Sequence, residues 1–346
     1  MDRHLSWILV FTAFSVHAAD ELGMASQLGP KTWASCARFM SQPNVRVYEL
    51  SQLRSNSMPL SPFAGPYQVK PKPTSVLPGT VHAFNSEQMN EAAEPGQQGT
   101  QIDALGHFAA LRQPWDGKPP APTDSAVYYG GLTQQEVKPT PDSPLLKLGM
   151  EKAPPLITTA VLLDAKAHVG RGRPMSAGEV VTAKHIEEML KAQDLARRGI
   201  RAGDVVYVHT GWGDYWRDPD IEKSYYSKAP GLSYDAARYL AARRIVAIGL
   251  DTPFIDAVPE GMLAGKGAPA AGTPPGMPFA VHHHMISQAG VHHIENAKLD
   301  ELARDKVWTS CTVVLPLLEK GAAGSAIRPI AIGVPKSTAE KSGSGR

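Results

Sequence analysis

"SYDAARYLAARRIVAIGLD", residues 233–251, sets the class of fold. Ser233 stands where a helix cap is wanted, because its hydroxyl can accept from a free amide of the first turn. Asp235 adds negative charge at the positive end of the helix dipole. A helix over 233–244 then runs straight into 245–251, which is apolar enough for a strand buried on both faces. The same alternation precedes it. "LITTAVLLDA" (156–165) reads as a strand and "TAKHIEEMLKAQDLARRG" (182–199) as a helix. In that helix Ile186, Met189, Leu190 and Ala196 keep helical spacing, Gln193 is a polar exception on the same face, and Gly199 is the stop. "DVVYVHTGW" (204–212) is a further β-rich run. Strand, helix, strand, helix, strand argues for an α/β domain. Upstream, "VRVYEL" (45–50) is β-like, and the prolines crowded between 59 and 78 predict a long ordered loop.

The chain of 346 residues is long enough for one sizeable domain. Its 35 Lys and Arg against 33 Asp and Glu leave a net charge of +2, so no strong field draws it to nucleic acid or to anionic membrane. The opening "MDRHLSWILVFTAFSVHAAD" has basic Arg3 and His4, an apolar run, then small residues at Ala18 and Ala19. That is a secretory signal pattern over 1–19, too short to span a bilayer comfortably. The expectation is an exported protein, periplasmic or secreted, with no membrane contact after cleavage. An N-terminal arm (20–44), one domain (45–334) and a disordered Lys, Ser and Gly-rich tail (335–346) complete the reading. Cys36 and Cys311 can form one bridge or stay as two buried thiols; two cysteines cannot make a thiolate zinc centre.

Two segments carry the chemistry. "QQGTQIDALGHF" (97–108) places Gln97, Gln101, Asp103 and His107 at odd positions, which an extended strand would put on one face. An exposed edge strand alternates in the same way. "HHHMISQAGVHHIEN" (282–296) reads as a helix from His283 to about Ala289, stopped by Gly290 and followed by a return strand. The helix rises roughly 9 Å and the strand covers roughly 13 Å, so Glu295 comes back beside His283. A nitrogen donor and a carboxylate brought together suit a divalent metal, although a histidine-rich surface loop can look alike. His282 and His284 flank the ligand candidate as supporting hydrogen-bonders or exposed helix-end residues. His293 shares a strand face with Glu295. Trp212 and Tyr215 line an aromatic substrate pocket or pack in the core, and Asp251 reads as a residue that orders a loop.

Together these segments resemble the cyclase family of metal-dependent hydrolases, the group of bacterial kynurenine formamidase and isatin hydrolase. The family signature H-x-G-T-H-x-D-x-P-x-H appears here with Gly99, Thr100, Asp103 and His107 matched, Gln97 and Gln101 in place of two histidines, and Leu105 in place of the proline. His283 and Glu295, twelve apart, look like its later histidine and glutamate. "GDVVYVHTGW", 230–253 and "GSAIRPIAI" (324–332) are similar to further family segments. The resemblance implies a swivelling β/β/α domain, a mixed β-structure with helices around it, forming a homodimer or homotetramer. It implies Asp103, His283 and Glu295 as metal ligands, with Gln97 and Gln101 at positions that normally ligate, and His107 as general acid/base. A metal-activated water would then cleave the C–N bond of a small amide, formamide or lactam substrate, aromatic ones included. Oxygen donors in place of imidazoles favour Mn²⁺ over Zn²⁺, one ion over two, and argue against kynurenine formamidase itself. The alternative is an exported, non-catalytic relative that binds a small ligand or a metal.

Overall fold

Nine strands form one sheet, and their order explains where a site can be built. The computed structural model describes residues 21–65, 67–91 and 97–336; the expected signal segment 1–19 and the tail beyond 336 lie outside the described residues. In chain order the strands are β1 (Arg46–Glu49), β2 (Gln101–Asp103), β3 (Leu156–Asp164), β4 (Val205–His209), β5 (Ala247–Leu250), β6 (His292–Glu295), β7 (Thr309–Val314), β8 (Gly324–Ala326) and β9 (Ile330–Gly333). Across the sheet they run β1-β9-β7-β3-β4-β5-β6-β2-β8. β3 to β6 are parallel neighbours, and every other pairing is antiparallel. This is a mixed α/β architecture with a large curled sheet, as the resemblance implied.

β3, β4 and β5 are largely buried on both faces, which is why they read as mostly apolar runs. Along β3, Val161 and Leu163 pack with Ile186, Met189 and Leu190 of helix α2 (Ala183–Ala192) and with Leu240 of helix α3 (Tyr234–Ala242). Ala160 and Leu162 face the opposite core with Tyr207 and Ile294. The Ser233 hydroxyl accepts from the Ala236 amide, the cap expected from the sequence. α2 is shorter than its pattern. It ends at Ala192 because Gln193 turns its amide to β3, donating to the Leu162 carbonyl at 2.6 Å and accepting from the Asp164 amide at 2.9 Å. That pairing explains the polar residue on the apolar face.

Two other expectations change. The proline-rich stretch contains a β-ribbon: Tyr67–Pro71 pairs with Glu87–Glu91, and Ser75–Val76 with Ala83–Phe84. The prolines sit at strand ends and between the pairs, where no ladder amide is needed. The arm at 20–44 carries helix α1 (Pro30–Met40), which packs on β3 and β7 and is bonded to β7 through a Cys36–Cys311 disulfide. That bridge closes a sequence separation of 275 residues. Cross-linking so long a loop restricts the unfolded chain strongly. Replacing both cysteines by alanine is expected to cost about 2–5 kcal/mol and lower the thermal midpoint by about 5–15 °C, measured by calorimetry against the oxidised wild type.

Candidate metal centre

The site forms where the parallel strands end and the antiparallel pair β6–β2 begins. β2 is only three residues long, not the extended run to His107 that the alternation predicted. Gly99 at φ +74° breaks it on one side, and a turn from Ala104 to His107 breaks it on the other. Thr100 anchors the start: its hydroxyl donates to the Asn296 carbonyl at 2.7 Å and accepts from the Gln52 amide at 2.8 Å. The Asn296 side chain donates to the Gly99 carbonyl at 2.7 Å. The glycine–threonine pair thus locks β2 to the end of β6.

The register then decides which side chains meet. Glu295 lies opposite Gln101 and Ile294 opposite Ile102. One step further sets His293 against Asp103. Ile102 and Ile294 point together into the core, so Gln101, Asp103, His293 and Glu295 share the other face. Donor atoms of Asp103, His282, His293 and Glu295 all lie within 4.8 Å of one another, and all four residues are buried. His282 Nε2 is 3.4 Å from Glu295 Oε1 and 3.8 Å from Asp103 Oδ2.

The helix-borne imidazole in this group is therefore His282, not His283. The helix begins at Ala280, and from His283 to Gln288 it is π-helical. A π-turn absorbs one additional residue, so the histidine that meets Glu295 is thirteen positions before it rather than twelve. His283 is half-buried, and its ring contacts the Gln288 amide at 3.1 Å. Gly290 at φ +70° ends the segment as expected. Sequence reasoning missed Asp256. Its carboxylate accepts from the amides of Val281 and His282 and contacts His282 Nδ1 at 2.6 Å, leaving Nε2 facing the carboxylates. No local motif marks Asp256; only the bridge between Asp256 and Leu232 brings its loop under the helix.

Gln97, Gln101, His107, His282 and Glu295 line a cavity of about 260 Å³ whose remaining wall includes Phe63, Phe108, Tyr226, Phe254 and Phe279. Gln98 points the other way and holds the loop above, accepting from the Ser61 amide at 3.0 Å. Trp212 and Tyr215 do not line this cavity. Trp212 is buried with Tyr225 and Tyr226, donates from Nε1 to the Tyr225 carbonyl at 3.3 Å, and stacks on the half-exposed Tyr215. Asp251 orders the loop after β4, accepting from the amides of Thr210 and Gly211 at 2.8 Å each.

The model of a family described as "Putative cyclase" matches residues 48–257. The chain belongs to the cyclase family. Among solved structures, a novel cyclase superposes with a TM-score of 0.71 at 21% identity, covering 90% of this chain and 96% of that one. Isatin hydrolase A from Ralstonia solanacearum gives 0.53 at 21% identity, covering 88% and 98%. Isatin hydrolase A from Labrenzia aggregata, bound to benzyl benzoate, gives 0.55 at 18%, covering 88% and 99%. These likenesses establish the fold. A search of the curated proteins finds no match.

In this cyclase the donor set fits a divalent cation. Among the described residues, Asp103 Oδ2, Glu295 Oε1 and both ring nitrogens of His293 are buried without a hydrogen-bond partner. Buried polar atoms are rarely left so. Burial, then the neighbouring Asp103 carboxylate, raises Glu295 to about 7. Burial pulls His282 down, but its hydrogen bond to Asp256 and the nearby Glu295 outweigh that and hold it at about 10. Burial pushes His293 well below the usual imidazole value and lowers His292 as well. In chelator-treated protein the unfolded chain still protonates His292 and His293 near pH 6.5, the ordinary imidazole value, which offsets the slope; about one pH unit higher both are neutral in either state and add none. Glu295 and His282 then hold more protons folded than unfolded, so stability falls as pH rises. The thermal midpoint should drop from about pH 7.5 to about 10, and Glu295→Gln should flatten the lower part of that fall. Thermal melts across that range check both.

Proposed function

We propose that the chain is a metal-dependent hydrolase that cleaves a C–N bond, in an amide, formamide or lactam, of a small aromatic substrate. The observation that carries this is the joining of two buried carboxylates and two buried imidazoles, of which Glu295 and His282 reach a cavity walled largely by aromatic rings. Asp103, His282, His293 and Glu295 would hold the ion. Two nitrogen and two oxygen donors would suit Zn²⁺ or Mn²⁺. When bound, such an ion supplies Lewis acidity and makes water a nucleophile near neutral pH.

The protein's own groups do the rest. Phe63, Phe108, Phe254 and Phe279 offer flat apolar surface to a ring and keep bulk water from the reacting bond. Asp256 fixes the tautomer and orientation of His282 through Nδ1. His107 lines the same cavity with its ring centroid 6.4 Å from that of His282. A carbonyl placed between them would lie within reach of His107, which would take a proton from the attacking water and hand it to the departing nitrogen as the C–N bond breaks.

Export to an oxidising compartment is part of the proposal and agrees with the disulfide between Cys36 and Cys311. So is a homodimer or homotetramer in solution. A non-catalytic binder is the second reading, favoured by Gln97 and Gln101 alone. Assays on formanilides and lactams with Mn²⁺ or Zn²⁺ decide between them. His107→Ala should lower kcat by about 10²–10⁴-fold while bound metal stays at the wild-type level. Unchanged turnover in that variant, or no hydrolysis by metal-loaded wild type across the panel, removes the hydrolase.

A further inference from the structure

The glutamines raise a question that the hydrolase reading leaves open: what compensates for two absent imidazoles on β2. We propose, resting on that reading for the presence of a cation, that the nitrogen donor has moved one strand sideways. His293 of β6 ligates the ion, and Gln97 and Gln101 act as hydrogen-bonding clamps on the two carboxylates rather than as ligands.

The geometry on both sides of the exchange supports this. His293 stands across from Asp103 on the face that also carries Gln101 and Glu295. Directly opposed residues in an antiparallel pair have Cβ atoms only about 5 Å apart. Gln101 faces Glu295, so His293 is its diagonal neighbour, about 7–8 Å away, and an imidazole on β6 approaches the same carboxylates as one at position 101 would. His293 has no exposure to solvent, its ring packs edge-on to His282 with centroids 4.5 Å apart, and neither ring nitrogen has a partner among the described residues. A buried imidazole left so costs desolvation with nothing in return; ligation through one nitrogen removes that cost.

Both amide nitrogens are already engaged, while Gln101 Oε1 is buried without a hydrogen-bond partner. Gln101 Nε2 donates to Glu295 Oε2 at 3.0 Å and to Gln97 Oε1 at 2.7 Å. Gln97 Nε2 donates to Asp103 Oδ1 at 3.3 Å. One chain of hydrogen bonds thus holds the outer oxygen of each carboxylate. The inner oxygens, Asp103 Oδ2 and Glu295 Oε1, are the two without hydrogen-bond partners, and both lie toward His282 Nε2. Four donors then converge on a single ion, and no second set remains on β2 for another.

Titration of the chelated protein with Co²⁺ tests this without any turnover. Wild type is expected to take up one Co²⁺ per chain with intense visible d–d bands of low coordination number. His293→Asn should weaken Co²⁺ binding by at least about tenfold and change the band pattern. In the wild-type chain, which needs no variant to fold, the ring-nitrogen resonances of His293 should shift on Zn²⁺ addition in a histidine-selective ¹⁵N spectrum. Two Co²⁺ per chain, unchanged affinity in His293→Asn, or unmoved His293 resonances would overturn the assignment. A chain that binds one Co²⁺ through His293 yet hydrolyses nothing keeps the ligand assignment and loses only the hydrolase.

Discussion

Two carboxylates, Asp103 and Glu295, are buried side by side, and the site is organised around that repulsion. Like charges in a medium of low polarisability interact strongly, and neither can be left bare. The polypeptide supplies part of the answer with neutral amides on the outer oxygens and a histidine whose far nitrogen is pinned by Asp256. These groups orient negative charge but do not cancel it, apart from what a proton on His282 or Glu295 can do. A divalent cation cancels the pair in full, because its two charges equal theirs.

The sheet makes that juxtaposition possible. A parallel strand leaves its side chains at a crevice where the winding changes direction, and ligands favour such places. Here the change is abrupt, since β6 is parallel to β5 on one side and antiparallel to β2 on the other. The register at that seam is enforced from the opposite face, where Ile102 and Ile294 are both buried in the core. A slip of β2 by one residue would send Ile102 into the cavity and Gln101 and Asp103 into apolar packing. Fold specificity and site assembly therefore rest on the same pair of residues.

Much of this was legible in the sequence, for definite reasons. The parallel strands β3 and β5 announced themselves because burial on both faces leaves mostly apolar residues in 156–164 and 245–250. Asp103, His107 and Glu295 could be read because they keep the family spacing on rigid elements. The histidine ligand was displaced by one position because spacing assumes a regular helix, and the π-turns between His283 and Gln288 violate that assumption. Asp256 and the aromatic wall were not legible at all. Phe63, Phe108, Tyr226, Phe254 and Phe279 come from separate loops, and only the folded chain places them together. Trp212 misled for the converse reason: a strand-end aromatic looks the same from sequence whether it faces a cavity or backs the residues that do.

His293 shows why strand-by-strand motif reading loses information. A signature written along one strand treats its residues as the site, but the chemical unit is a patch of sheet face two strands wide. On such a patch a donor can change strands without changing its position in space by more than a side chain's reach. Read along β2 alone, Gln97 and Gln101 look like decay of a metal centre. Across the seam, the lost nitrogen faces a histidine that no hydrogen bond claims, and the amides lie where they can fix the carboxylate oxygens. The decisive comparison for a substituted site is thus between pairs of cross-strand neighbours, because the ion would respond to the positions of donor atoms and not to the strand that delivers them.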